Sequence, residues 1–485
     1  MRSIILFFLI SVVGSSGAQS FQNSMDTWVK DKDLSHATIG FKAVKVNSRE
    51  LIGEYNSNLA IVPASNLKLL TTAAALEIFG PDKKFETALH YTGKIEKGVL
   101  YGDLILKGGG DPSLGSKYNG GYKKLFASWT QSLKNLGIHA IEGSVIADAS
   151  LFPDYVIPRT WIWEDIGNYY GCGVSALSFI DNTFHISFSS SNTVNAFTTI
   201  EKMEPEVPFL TIDNQVRSSH DNRDNAYLFG GPYNFNKRAE GTIPKGRSNF
   251  KVKGSLPDPA LQLAYMFRQE LISVGIEVKD DYNTIRRIKL SKKPYPNAFG
   301  ETKRIAAHNG LSVRELVKYT NMNSVNLYAE HLNCLLGLEK YNRADGPSGN
   351  KVVKEFLESK KLPLGGVNLV DGSGMSRFNT VTADLMTSLL VEMDKSGQAE
   401  NFKRSLAVSG QSGTFKSFLN SPETKGLVKG KSGYMERVRS YSGYIELEDG
   451  PIAFSIIVNN YSCSASAMKR KIESLLRALI EHQKG

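Results

Sequence analysis

Apolar and polar positions change their period several times along the chain, and each change marks an element. Residues 38–44 (Thr38-Ile39-Gly40-Phe41-Lys42-Ala43-Val44) predict a strand, Asn47-Ser48-Arg49 a turn, and Leu51-Ile52-Gly53-Glu54-Tyr55 a second strand. Pro63-Ala64-Ser65 then opens a helix with Leu67, Leu70, Ala73, Ala74 and Ile78 at helical spacing, stopped by Gly80-Pro81. The far end mirrors this: residues 439–447 alternate, Glu448-Asp449-Gly450 turns, residues 452–458 form another strand, and residues 465–480 an amphipathic helix. Strands and helices at both ends predict an α/β (α+β) domain whose sheet gathers both termini.

The middle reads differently. Residues 91–182 and 255–299 each hold a strand-rich part and one good helix, at about 123–136 and about 260–274, the latter with Asp258 as cap and Pro259 in its first turn. Each helix is followed by Gly-Ile and a strand (Gly137-Ile138 and Gly275-Ile276), a sign of two similar half-units. Between them, residues 183–254 are β-rich, with many Asn and Ser and no strong helix. The expectation is an insertion inside an insertion. Residues 19–90 and 300–485 build the outer domain, 91–182 and 255–299 the inserted one, and 183–254 a second domain nested within it.

Composition narrows the class. A chain of 485 residues, 41% hydrophobic, 22% charged and 10% aromatic, has the make-up of a multidomain globular protein and excludes disordered or fibrous chains. The net charge of +10 is mild for this length, and no Lys/Arg cluster is dense enough to argue for nucleic acid. Met1-Arg2, an apolar run over residues 4–13 and the small residues Ser16-Gly17-Ala18 predict a signal peptide over residues 1–18. The run is too short to span a bilayer, so an exported, soluble chain starting at Gln19 is expected, periplasmic or otherwise extracytoplasmic. The three cysteines, Cys172, Cys334 and Cys463, imply no disulfide framework. The eight histidines are dispersed, and no CxxC or HExxH occurs, so no metal site is expected.

Three short motifs carry the chemistry. Ser65-Asn66-Leu67-Lys68 starts the Ala-rich helix, and its spacing puts Ser65 and Lys68 on one face, close enough for the amine to take the hydroxyl proton. The helix start also offers backbone N–H groups to a developing oxyanion. Ser324-Val325-Asn326 sits in a polar run just before an apolar helix over residues 327–336. Gly430-Lys431-Ser432-Gly433-Tyr434 leads into the alternating segment ending Arg439-Ser440-Tyr441-Ser442-Gly443-Tyr444. Taken singly, the first two are what a capped helix start also looks like. A phosphate loop is excluded for the third, because Lys425 stands where the first glycine is required and a strand follows where a helix is needed.

In this order the three motifs resemble those of the penicillin-recognising serine enzymes. The long gap between Ser65 and Ser324 makes the chain most similar to the D-Ala-D-Ala carboxypeptidase/endopeptidase family, the low-molecular-mass class C penicillin-binding proteins. Further matches are Gly108-Gly109-Gly110-Asp111-Pro112-Ser113-Leu114, Asp148-Ala149-Ser150-Leu151-Phe152 and Asp371-Gly372-Ser373-Gly374-Met375-Ser376-Arg377-Phe378-Asn379. Val325 departs from the family, whose members often carry Asp there; its side chain is not a reacting group. Read without the family, the glycine run of residues 108–114 is a structural turn, and residues 371–374 could be no more than a tight turn.

The resemblance implies a transpeptidase/β-lactamase-like domain split after the Ser65 helix by a nested pair of inserted domains. It implies acyl transfer from peptidoglycan stem peptides ending in D-Ala-D-Ala, with no cofactor and with β-lactams as covalent inhibitors. Ser65 is then the nucleophile and Lys68 its base, with Lys431 helping to hold the Lys68 pKa down. Ser324 relays a proton to the leaving amine, and Asn326 orients the substrate amide. Lys431 and Ser432 take the terminal carboxylate, and the N–H groups of Ser65 and Tyr434 form the oxyanion hole beside Gly433. Arg377 and Asp148 are candidates for the pocket that holds the substrate's side chain. A β-lactamase or esterase on the same scaffold, and a peptidoglycan-binding protein with a dead site, are the rival readings; the complete motif set counts against the second. The leader makes a separate prediction: N-terminal sequencing of protein from the native host begins close to Gln19, and a mature chain retaining Met1-Arg2 refutes it.

Overall fold

The computed structural model describes residues 16–154, 156–292 and 301–484, the side chains from Phe21 onward. Most of the expected leader lies outside the described residues, and the expected cut after Ala18 falls within the helix Ser16–Trp28. Phe21 and Met25 of that helix are buried, so the cut leaves its anchoring residues in place.

Both predicted strand pairs join one six-stranded antiparallel sheet. Its order is Ala407–Val408, Val428–Met435, Val438–Ile445, Ile452–Asn459, Thr38–Lys45, Leu51–Tyr55. Thr38 lies opposite Asn459 and Lys45 opposite Ile452, so strands from the two ends of the chain lie side by side at full length. Every residue of Ile452–Asn459 is buried, which explains why that stretch reads as a nearly continuous apolar run. Alternation sorts its side chains between two cores. Phe454, Ile456 and Val458 pack with Met468, Ile472 and Leu475 of the C-terminal helix Ala465–Lys484. Ala453 and Ile457 pack on the other face, with Leu69, Leu70 and Leu76 of the helix Lys68–Phe79. That helix is buried from Lys68 through Leu76. Each of its buried leucines contributes roughly 1.5–3 kcal/mol, which offsets the cost of sinking a lysine at its first position.

The two predicted half-units are present in the inserted part. Helices Gly121–Asn135 and Pro259–Ser273 share a core through Phe126, Trp129 and Phe267, and Asp258 caps the second by accepting the Leu261 N–H at 3.0 Å. Each helix is followed by a glycine at positive φ, Gly137 and Gly275, and then by two short strands. Those strands run parallel to their counterparts, Ala140–Ile141 beside Glu277–Val278 and Val145–Asp148 beside Tyr282–Thr284. The last pair continues into a five-stranded sheet through Leu104–Gly108, Lys84–Tyr91 and Lys303–Ser312.

This pairing shifts the expected boundaries. Lys84–Tyr91 and Lys303–Ser312, expected mostly in the outer domain, pair with each other and extend the inserted sheet. We therefore place the crossings near Gly80 and Ser312. A strand's own alternation does not say which sheet it joins; only the partner does.

Between residues 183 and 255 the described elements are all strands, in a three-stranded and a four-stranded sheet around Phe184, Ile186, Phe188, Leu228 and Val252. This unit docks on the inserted segment at Gly167 and Asn168. Asn168 Oδ1 accepts the Leu228 N–H at 3.0 Å, and the Ser255 N–H donates to the Gly167 carbonyl at 2.9 Å. All three cysteines are free. Among the described residues no helix is long and apolar enough to cross a membrane, and no group of three or more His, Cys, Asp or Glu could hold a metal ion.

A Cβ added at Gly167 lies 1.8 Å from the Leu228 carbonyl oxygen, and backbone cannot step aside as a side chain end can. Gly167→Ala is expected to destabilise the chain by about 1–3 kcal/mol, read as a lower Tm by calorimetry. A parental Tm overturns this docking contact as a determinant of stability.

Candidate active site

Ser65 lies on a short 3₁₀ turn, Ala64–Leu67, that runs directly into the helix Lys68–Phe79. Ala64 holds φ 48°, a left-handed conformation that costs a non-glycine residue roughly 1–2 kcal/mol. The surroundings enforce it. Ser440 Oγ donates to the Pro63 carbonyl at 2.6 Å, and Asn66 Nδ2 donates to Ser442 Oγ at 2.8 Å, stitching the turn to the strand Val438–Ile445. From the other side Gly374, itself at φ 82°, presses so close that a Cβ there would sit 2.0 Å from the Ala64 carbonyl oxygen. Ser65 is thereby left half-buried at the mouth of a cleft while its neighbours are sealed.

Lys68 is fully buried, and its Nζ lies 2.9 Å from Ser65 Oγ and 2.5 Å from the Ser373 carbonyl. Burial is the chief force on it and lowers its pKa to about 7, against the opposing charges of Asp371 and Glu330. A carbonyl only accepts, so one Lys68 N–H is committed to Ser373. The neutral amine then has its lone pair available to the Ser65 hydroxyl.

Lys431 is fully buried as well, and burial first and the nearby Lys68 charge second hold it well below the ordinary lysine value. Lys431 Nζ donates to Ser324 Oγ at 2.9 Å and to the Ser432 carbonyl at 2.6 Å. Ser324 occupies a left-handed position, φ 60°, between the helices Val313–Asn323 and Asn326–Tyr341, which turns its hydroxyl toward Lys431. Asn326 Nδ2 donates to the Tyr170 carbonyl at 2.8 Å.

The Lys-Ser-Gly motif lies within the strand Val428–Met435, not ahead of it. The neighbour Ala407–Val408 pairs only with Gly430 and Lys429, so residues 431–435 have no partner strand on that edge among the described residues. A Cβ on Gly433 would lie 2.2 Å from Ser440 Oγ, 2.6 Å from the Pro63 carbonyl and 3.1 Å from the Ser65 nitrogen. Only glycine lets the nucleophile turn come this close to the strand, and it sets the Ser65 N–H beside the edge at Tyr434. Ser432 is half-buried there, and Tyr434 is 57% exposed.

The two side-chain pocket candidates lie on different elements. Arg377 is exposed beside the Glu436 carbonyl, and its charge acts on Asp165. Asp148 ends a strand of the five-stranded sheet, and its Oδ1 accepts the N–H and hydroxyl of Ser150 in a local turn. That Asp165 lies on the short helix Trp163–Ile166.

Sequence reasoning missed most of the supporting network. Asp371 accepts hydrogen bonds from the Gly374 and Ser376 N–H groups, from Asn379 Nδ2 and, at 2.8 Å, from Trp161 Nε1 of the insertion. Thr160 and Ser376 share a further hydrogen bond at 2.6 Å. Glu330, buried on the Asn326–Tyr341 helix, accepts the N–H groups of Ser373 and Gly372 at 2.7 and 3.2 Å. The Asp-Gly-Ser-Gly run is a signal for a special turn, but nothing in it names Lys68 or Trp161 as partners.

Comparison with known proteins gives the family. A family model described as D-Ala-D-Ala carboxypeptidase 3 (S13) matches residues 21–481. The chain belongs to this family. It is 26% identical over 478 residues to the D-alanyl-D-alanine carboxypeptidase DacB of Haemophilus influenzae, covering 97% of this chain and 95% of that one. It is also 26% identical over 467 residues to a D-alanyl-D-alanine carboxypeptidase of an Actinomadura species, covering 93% and 84%. Among solved structures, penicillin binding protein 4 from Haemophilus influenzae superposes with a TM-score of 0.78 at 24% identity, covering 93% of this chain and 97% of that one. A predatory peptidoglycan endopeptidase from Bdellovibrio bacteriovorus shares the fold with a TM-score of 0.51 at 16% identity, covering 91% and 92%. The S13 assignment carries the mixed helix-and-sheet architecture and the serine peptidase class.

For this S13 member two outcomes follow from the geometry. Acylation by penicillin is expected to fall as pH drops through about 7, because protonated Lys68 cannot accept the Ser65 proton; stopped-flow rates between pH 5 and 9 check this. Gly433→Ala should slow acylation on the order of a hundredfold by displacing the nucleophile turn, while far-UV circular dichroism stays parental. An unaltered rate removes the close approach at Gly433 from the mechanism.

Proposed function

We propose that this enzyme is a serine-type D-alanyl-D-alanine carboxypeptidase/endopeptidase acting on peptidoglycan stem peptides. The observation that carries the reading is the buried Lys68 amine, its pKa lowered to about 7, at 2.9 Å from Ser65 Oγ. Ser65 Oγ attacks the carbonyl of the penultimate D-alanine as its proton passes to Lys68, forming a tetrahedral oxyanion held by the N–H groups of Ser65 and Tyr434. Collapse breaks the C–N bond, and the leaving amine takes its proton through Ser324, which the Lys431 contact keeps in place. Water, giving its proton to Lys68, then hydrolyses the acyl-enzyme. No cofactor takes part. Asn326 aligns the substrate amide through its side-chain carbonyl, its nitrogen being committed to Tyr170. Lys431 and Ser432 receive the terminal carboxylate. Arg377, with Asp165 close enough to feel its charge, and Asp148 line the pocket for the third stem-peptide residue. β-Lactams acylate the same serine, and a solved relative, penicillin binding protein 4, carries a β-lactam in its complex. The leader sequence supports action outside the cytoplasm.

Labelled penicillin should attach at Ser65 and be absent from Ser65→Ala; label on another serine sinks the mechanism. Defined muropeptides analysed by mass should show loss of D-alanine or cleavage of a cross-link, whereas rapid turnover of penicillin with neither product would make the enzyme a β-lactamase. Lys431→Ala is expected to lose about ten- to a hundredfold in kcat/KM on free-acid peptides, the scale of a charge-assisted contact of ~1.5–3 kcal/mol, yet largely keep activity on C-terminal amides. Unchanged activity on the free acid removes Lys431 from substrate binding.

A further inference from the structure

Glu330 is a buried acid that the steps above do not use, and its hydrogen bonds lead to the general base. Its two oxygens take the N–H groups of consecutive residues, Ser373 to Oε1 at 2.7 Å and Gly372 to Oε2 at 3.2 Å. The carbonyl of that same Ser373 receives the Lys68 N–H at 2.5 Å. The Gly372 carbonyl is held in turn by Thr71 Oγ1 at 2.8 Å, one turn along the Lys68 helix. Gly374 follows, packed on the Ala64 carbonyl. Residues 372–374 thus touch the base, its helix and the nucleophile turn at once; Glu330 takes the N–H groups of the first two, and Asp371 Oδ1 takes that of Gly374.

We propose that Glu330 is a positioning residue for acylation: by clamping the Gly372 and Ser373 N–H groups it fixes the Ser373 carbonyl against Lys68, so that the amine presents its lone pair to Ser65. The proposal rests on Lys68 being the base of Ser65. Geometry makes the role specific, since a purely structural acid could have held any part of the loop, whereas this one holds the residue whose carbonyl orients the base.

Its electrostatics run the same way. Burial, with the Asp371 charge adding to it, pushes Glu330 up to about 8, while hydrogen bonds from Ser373 and Gly372 and the Lys68 charge pull it down. The groups that face it are Asp371 from the loop, Lys68 from the nucleophile helix and Cys334 from its own helix, whose thiol is pushed well up. The Glu330 charge in turn favours the protonated form of Lys68, so the acid and the base bias each other across the Ser373 carbonyl.

Two variants test this in the full-length enzyme, with acylation by a fluorescent penicillin followed from pH 5 to 9. Glu330→Gln keeps one acceptor and removes the charge. It is expected to lose less than tenfold at the plateau and to move the acidic limb to lower pH, because a negative neighbour of Lys68 is gone. Glu330→Ala leaves both N–H groups without an acceptor and should lose on the order of a hundredfold in acylation rate, a misplacement effect. Non-covalent penicillin binding, measured in a Ser65→Ala background, should be unchanged by Glu330→Ala. A limb and plateau identical to the parent in Glu330→Gln overturn the proposal, and they do so even if Glu330→Ala does not fold. The parent enzyme separates this failure from that of the underlying reading: absence of label on Ser65, or of an acidic limb near 7, would instead remove Lys68 as the base.

Discussion

A lysine amine sealed from water with no ion-pair partner is the constraint on which this site depends. Among the described residues Lys68 makes no salt bridge; its neighbours within hydrogen-bond reach are a hydroxyl and a carbonyl. Burial without a counter-ion disfavours the charged form, and that alone brings an amine into the range where it can act as a base at neutral pH. The apolar leucines around it contribute to this as much as any polar residue. The same burial makes the amine's orientation a structural matter, because a misdirected N–H in a buried site costs free energy.

The backbone around the amine is correspondingly tight. Ala64 and Ser324 both hold left-handed conformations, and Gly374 and Gly433 are close approaches where a single methyl group would collide with main chain. Strain of this kind persists only where packing over-determines it. Here the packing comes from three directions, the strand Val438–Ile445 through Ser440 and Ser442, the 371–379 loop through Gly374, and the helix bearing Glu330.

The insertion is part of the same site. Trp161 reaches Asp371, Thr160 reaches Ser376, and the Tyr170 carbonyl takes the Asn326 amide. One segment of the inserted domain therefore supports both the loop that orients Lys68 and the motif that faces substrate. The nested strand unit leans on that segment through Gly167 and Asn168, which links the outermost part of the fold to the cleft by a short chain of backbone contacts.

Much of this molecule is legible along the chain. Alternation and turn residues place the strands at both ends, and capping residues place the helices of the two half-units, because these are local preferences. The order of three short motifs picks out Ser65, Lys68, Ser324, Asn326 and Lys431 as one set, since their spacing and chemistry can be read without knowing what lies between. Partnership across distance is different, and folding alone settles it. Lys84–Tyr91 and Lys303–Ser312 alternate like any strand, and only their mutual pairing assigns them to the inserted sheet. The spacing of residues likewise gives no hint that Asp165 lies close enough to Arg377 to feel its charge. The run that begins at Asp371 signals only a turn, and Glu330 and Trp161 have no local signature. Their roles exist because folding brings segments hundreds of residues apart within hydrogen-bond reach, and burial then turns each of those contacts into a constraint that a linear pattern cannot carry.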